Sequence, residues 1–244
     1  MLLALDTSTD WASVALFDGR EVLAEETWHA QRRHADELFP TIERLLGTAH
    51  ASIASVDRVA VATGPGSFTG LRVAIAAAQG IARGAGAALV GVSTLDVLAY
   101  PHASSKRRTC PLLPAGRDLH YAAIYQERNR RWARRSPFLV GPLEELCRPI
   151  GDHTLFVGEI DAAAEATIAA LLGPKAHFAP PSARLRRAGY LAELGWRELE
   201  TRTQGRLGEI EPLYVRQPAI RGSFAQPFAP PPQGDVALGL PKRT

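Results

Sequence analysis

Residues 2–28, LLALDTSTDWASVALFDGREVLAEETW, hold three short apolar runs set apart by turn chemistry. The runs 2–6 (LLALD), 12–17 (ASVALF) and 21–28 (EVLAEETW) each read as a strand, with Asp18-Gly19 supplying the bend between the second and third. Strands this short, this closely spaced and this consecutive pair as an antiparallel meander. The period then changes. Leu38, Ile42, Leu45, Leu46 and Ala49 recur at helical spacing, and Asp36 and Glu37 sit early, where the helix dipole favours negative charge. Residues 34–49 are therefore expected to form an amphipathic helix, kinked at Pro40 or starting later because proline removes a backbone donor.

Further along come an apolar strand at 56–62, a Gly-rich turn, a helix over 69–83, a strand at 87–92 and a helix near 94–100. The order βββαβαβα is the ribonuclease-H-like arrangement, a meander on one side of a mixed sheet and parallel strands with helices on the other. A weaker version of the pattern follows, with strands near 110–114, 120–126 and 154–158 and helices near 142–148, 161–172 and 182–203. Two such halves make the α/β architecture of actin, sugar kinases and Hsp70, in which a nucleotide usually sits in the cleft between them. The expected division is 1–105 for the first domain, 106–218 for a smaller second domain whose end can return to the first, and 219–244 for a Pro-rich mobile tail.

A chain of 244 residues with 46% hydrophobic residues can fill a substantial core. No run approaches the roughly 20 apolar residues of a membrane span. The N-terminus lacks the layout of a signal peptide, so the expected compartment is the cytoplasm, without a membrane partner. Cys110 and Cys147 lie far apart with no metal-ligand spacing and are expected to be buried, inert thiols. The net charge of +3 is modest. It is also local: Lys106, Arg107, Arg108, Arg117, Arg128, Arg130, Arg131, Arg134 and Arg135 crowd one stretch. That stretch reads either as a solvated face or as a patch for nucleic acid.

Three blocks carry a family resemblance: Leu3-Ala4-Leu5-Asp6-Thr7-Ser8-Thr9, the run HADELFPTIERLL from His34 to Leu46, and Gly64-Pro65-Gly66-Ser67-Phe68-Thr69-Gly70-Leu71-Arg72. With Pro212-Leu213-Tyr214-Val215-Arg216 they make the chain resemble the TsaB (YeaZ) family from residue 1 to about 216. The resemblance implies the two-half fold and a non-catalytic role in forming threonylcarbamoyladenosine next to the tRNA anticodon. It further implies partnership with the catalytic paralogue TsaD and the ATPase TsaE, a homodimer when TsaD is absent, and only indirect contact with tRNA. No cofactor of its own and no metal are implied; ATP or ADP would enter at the complex. The partner surface it implies comprises His34, Glu37, Leu38, Phe68, Leu71, Arg72, Ala74, Ile75, Ala78 and Gln79.

Asp6-Thr7-Ser8-Thr9 looks like the first phosphate loop of an actin-like domain, and Gly158 like the remnant of an adenosine-side turn, together a vestigial nucleotide site. The second loop departs from the family. Where relatives carry Asp-Ala-Arg, this chain has Pro114-Ala115-Gly116-Arg117-Asp118. TsaD-like subunits hold a metal through a histidine pair one helical turn apart. Here His29 and His34 are five apart, and His50, His102, His120, His153 and His177 stand isolated in the sequence. Two enzymatic alternatives remain, a glycoprotease-like metallopeptidase and an independent nucleotide-dependent kinase. On the helix 69–83, Arg72, Gln79 and Arg83 make one narrow polar stripe. Leu71, Val73, Ala74, Ile75, Ala77, Ala78 and Ile81 are therefore expected to exceed what one sheet can cover and to need a partner molecule.

Overall fold

The computed structural model describes residues 1–31, 33–105, 107–128, 131–201 and 210–213, so the tail expected from 219 onward lies outside the described residues. The chain divides into two compact units, one of Met1–Val97 with Arg186–Leu213 and a second that includes Leu98–Leu185. The division falls at Val97/Leu98, and the segment Arg186–Leu213 groups with the first unit.

The first unit opens with the meander β1 (Leu2–Asp6), β2 (Trp11–Phe17) and β3 (Val22–His29). It continues through α1 (His34–Thr48), β4 (Arg58–Ala62), α2 (Phe68–Ala85) and β5 (Ala88–Val92), and the division falls within α3 (Thr94–Ala99). The sheet order is β3-β2-β1-β4-β5. β1 runs antiparallel to β2 and parallel to β4, and β4 parallel to β5, which is the ribonuclease-H-like arrangement. α1 starts at His34 and runs through Pro40, so the expected late start is not seen. Proline costs a helix about 3 kcal/mol, whereas burying Leu38, Ile42, Leu45 and Leu46 returns roughly 1.5–3 kcal/mol per side chain.

The second unit contains β6 (Arg108–Pro114), β7 (His120–Ala122), β8 (Tyr125–Arg128), β9 (Arg131–Arg134), β10 (Leu139–Gly141), α4 (Leu143–Cys147), β11 (Thr154–Gly158), α5 (Ala162–Leu172) and β12 (Ala176–Phe178). Its main path, β10-β7-β6-β11-β12, repeats the connectivity of the first sheet: a three-stranded antiparallel part, then two strands parallel to β6. The fold is therefore two ribonuclease-H-like halves. An additional hairpin, β8 with β9, hangs from the start of β6.

The helix α6 (Ala188–Thr201) belongs to the first unit and starts later than the expected 182. Strand side chains alternate between faces, and the first sheet uses both. Leu3, Leu5, Val14, Leu16, Val59 and Val61 join one apolar core with residues of α1 and α2. The opposite face meets α6: Phe17 packs edge-on against Trp196, and Ser13 Oγ accepts from the Ala188 N–H. Contact there is close, because a Cβ placed on Gly195 would fall 2.5 Å from Ala60 Cβ. Among the described residues no helix is long and apolar enough to cross a membrane.

Gly195→Ala is expected to destabilise the chain by about 1–3 kcal/mol, as overpacking does. Gly84→Ala, in α2 with nothing within 4 Å of the new methyl, is expected to be neutral or to stabilise by up to about 1 kcal/mol. Urea unfolding of the two variants checks the contrast, and equal stabilities would contradict the packing of α6.

Candidate functional site

The loop that follows β1 is closed on every side by its own chain. Asp6, Thr7 and Ser8 are at most 1% exposed and Thr9 is 7% exposed. Asp6 Oδ1 accepts from the Ser8 N–H at 2.9 Å and from Ser8 Oγ at 2.6 Å. Asp6 Oδ2 takes the Nε–H of Arg186, an ion pair whose side chains are 1% and 2% exposed. The same guanidinium donates from Nη2 to Thr9 Oγ1 at 3.0 Å and to the Trp11 carbonyl at 2.9 Å. Arg186 thus engages both the carboxylate of Asp6 and the hydroxyl of Thr9 within this loop.

The N-terminus of α2 is committed in the same way. The Ser67 N–H donates to the Ser8 carbonyl at 2.6 Å, and Thr7 Oγ1 donates to the Gly70 carbonyl at 2.7 Å. A Cβ on Gly66 would lie 2.1 Å from Ser8 O, and one on Gly70 would lie 2.0 Å from Thr7 O. These approaches explain why the motif Gly64-Pro65-Gly66-Ser67-Phe68-Thr69-Gly70 spends its glycines where it does: the loop carbonyls leave no room for a side chain. Gly64 also holds φ at +106°, a left-handed value suited to glycine.

The surface expected on α1 and α2 needs correction. Leu38, Leu71, Ala74 and Ala78 are at most 1% exposed, and Ile75 is 5% exposed. His34 is also buried, its Nε2 2.7 Å from the Thr9 carbonyl oxygen. These six side chains pack inside the first unit and present nothing to a partner. The apolar face of α2 does not outrun its own fold, because α1 lies beside it over the sheet and both enter one core. What remains outside is a different stripe. Thr69, Arg72, Ala76, Gly80 and Arg83 are exposed, Phe68 is 43% exposed under the Arg72 guanidinium, and Gln79 and Glu37 are half-buried. On α1 the sequence reading missed Phe39, which is 52% exposed. Its position off the Leu38, Ile42, Leu45 stripe was the available signal.

In the second unit, residues 114–118 form the hairpin from β6 to β7, with Gly116, Arg117 and Asp118 all at positive φ. Gly158 has a packing reason: a Cβ there would lie 2.3 Å from the Leu112 carbonyl oxygen. Cys110 and Cys147 are free and buried. Burial pushes both thiols up, Cys147 to about 11 with a further contribution from Glu144. His153 and His177 are not isolated, as the sequence suggested. β11 and β12 pair side by side and bring His153 Nδ1 to 2.9 Å from His177 Nε2. Among the described residues no group of three or more His, Cys, Asp or Glu is placed to hold a metal ion. Arg186 is the residue that sequence reasoning missed altogether. It lies 180 positions from Asp6 within a run of arginines, and nothing local marks it.

A family model described as TsaD, tRNA N6-adenosine threonylcarbamoyltransferase, matches residues 22–136. The TsaB protein of Escherichia coli, named for tRNA threonylcarbamoyladenosine biosynthesis, is 40% identical over 98 residues, covering 40% of this chain and 42% of that protein. The matched stretch thus spans about two-fifths of the length of that relative. The Bacillus subtilis protein of the same name is 26% identical over 197 residues, 80% of this chain and 86% of its own length. The structure of YeaZ from Pseudomonas aeruginosa superposes with a TM-score of 0.72 at 27% identity, covering 88% of this chain and 99% of that one. The chain is thus similar to proteins that carry the TsaB name and to a YeaZ structure that it follows over nearly that structure's whole length.

Proposed function

We propose that this chain is a non-catalytic subunit of the machinery that forms threonylcarbamoyladenosine in tRNA. In this reading it docks on a TsaD-type catalytic subunit, with a TsaE-type ATPase joining that assembly and ATP or ADP entering there. In the absence of the catalytic subunit a second copy of the chain takes the same surface. The observation that carries the reading is the Arg186–Asp6 pair. It fills the first phosphate loop with the chain's own charge, so the loop supports the sheet and performs no phosphate chemistry.

The docking surface is the exposed stripe of α2 with its neighbour on α1: Phe68, Arg72, Ala76, Gln79, Glu37 and Phe39. Phe68 and Phe39 are large, half-exposed rings of the kind that anchor interfaces. Ala76 and Gly80 are exposed and small, which lets another helix approach closely. Arg72 holds the Phe68 ring at 3.9 Å, keeping it oriented at little entropic cost on association.

Replacing Phe68 and Ala76 by Glu, both exposed in the free chain, is expected to leave its melting temperature within a few degrees. The same change lowers affinity for the catalytic subunit at least ten-fold and reduces tRNA modification accordingly. Unchanged co-purification with undiminished modification would remove the stripe from the proposal. The structural role of the loop has its own test in urea unfolding. Arg186→Met leaves a buried carboxylate without its cation and is expected to cost about 3–5 kcal/mol. Asp6→Asn added to Arg186→Met is expected to recover part of that loss, and additive losses in the pair would contradict the coupling.

A further inference from the structure

The arginine-rich stretch plays no part in the sites above, and the topology of the second unit gathers it at one end of a sheet. β6, β11 and β12 are mutually parallel in sequence along the sheet, so their starts share that end. Arg107 and Arg108 stand at the start of β6, His153 just before β11, and Lys175 and His177 at the start of β12. β8 runs antiparallel to β6, with Tyr125 opposite Thr109, so the chain from Tyr125 to Arg128 passes out beyond the start of β6 at this same end. β9 returns with Arg131 directly opposite Arg128.

This hairpin is built to hold its shape. The buried rings of Tyr125 and Trp132 stack with centroids 6.3 Å apart and planes 19° from parallel. Arg135 clamps it by donating from Nε to the Gln126 carbonyl at 3.2 Å and from Nη2 to the Arg131 carbonyl at 3.0 Å. Two like charges placed directly opposite on paired strands repel, yet Arg128 and Arg131 make the outermost described pair of the hairpin. Arg107, Arg128 and Arg131 are exposed. Asp152, a carboxylate at this end, is engaged by Arg108 Nη2 at 2.7 Å.

The same neighbourhood is short of acceptors. Arg108 Nε, Trp132 Nε1 and Arg134 Nη1 are all buried donors without a hydrogen-bond partner among the described residues. Desolvation first, then the charges of Arg107 and His153, hold the His177 imidazole below its usual range. An excess of cations and donors, rigidly presented and weakly compensated, suits a partner that brings many anionic oxygens at regular spacing. The cations of the hairpin are arginines, whose planar forks match phosphate bidentately. Among its described residues the hairpin carries no exposed large apolar side chain that would enter a lipid surface.

We propose that this end of the second unit, with Arg107, Arg128 and Arg131 at its centre, binds the phosphate backbone of a structured RNA. The choice of tRNA as that RNA rests on the function proposed above. The chain therefore touches the substrate directly as well as docking on its catalytic partner.

The test is fluorescence anisotropy of a labelled, unmodified tRNA transcript titrated with the full chain over a series of salt concentrations. Arg128→Glu and Arg131→Glu are compared with Arg20→Glu, which makes the same charge change on an exposed turn of the first unit. Each hairpin substitution is expected to weaken binding about ten-fold and to flatten the dependence of log K on log salt by about one, while Arg20→Glu alters neither. A wild-type chain that does not bind tRNA, or an equal loss in all three variants, overturns the proposal. So does a hairpin that binds anionic phosphatidylglycerol vesicles but leaves tRNA affinity unchanged when substituted. Co-purification of Arg128→Glu with the catalytic subunit is read in parallel and is expected to persist. Normal assembly with unaltered tRNA affinity removes the RNA surface alone, whereas failure of the wild-type chain to assemble removes the docking role.

Discussion

The buried ion pair between Asp6 and Arg186 is the constraint from which most of the first unit follows. A carboxylate and a guanidinium withdrawn from water cost several kcal/mol each unless they meet with good geometry and further hydrogen bonds. Here both conditions hold: Ser8 satisfies one carboxylate oxygen, and Thr9 Oγ1 and the Trp11 carbonyl accept from the Nη2 of the guanidinium. The pair ties the end of β1 to the segment just before α6, which covers the second face of the first sheet. Ser13 Oγ, accepting from the Ala188 N–H, marks where the helix begins its path across that face.

The same constraint decides what the first unit can do. An open phosphate loop needs an acidic side chain, free backbone N–H groups and a helix N-terminus facing solvent. In this chain the acid is neutralised internally, the Ser67 N–H is taken by Ser8, and Gly66 and Gly70 are pressed against loop carbonyls. The outer surfaces instead present half-exposed phenylalanines beside small helical residues in the first unit and a cation-rich sheet end in the second. The supporting role proposed above for this chain, beside a catalytic subunit, would draw on these outer surfaces.

Local pattern made much of this architecture legible. The meander from Leu2 to His29, both amphipathic helices and the alternation of β4, α2 and β5 follow from periodicity and turn residues within a dozen positions. The strand 154–158 was legible from its apolar run. β9, β10 and β12 were not, because three or four residues carry no period of their own and pair only through their neighbours. The apolar excess of α2 was read correctly as a need for cover but assigned to another molecule. Periodicity shows how much surface a helix hides and not that α1 is the element that hides it. Arg186 lay beyond sequence reasoning for a related reason: a buried carboxylate requires a cation, but nothing at Asp6 indicates which of the many arginines supplies it. The proximity of His153 to His177 likewise comes from strand register, which becomes visible only once β12 is known to exist.

The central claim is that the loop after β1 is sealed by its own arginine, and it is most directly tested by calorimetric titration of the isolated chain with ATP and magnesium. The account predicts no saturable heat up to millimolar nucleotide. A stoichiometric isotherm with a micromolar dissociation constant, abolished by Asp6→Asn in a chain that remains folded, would contradict it.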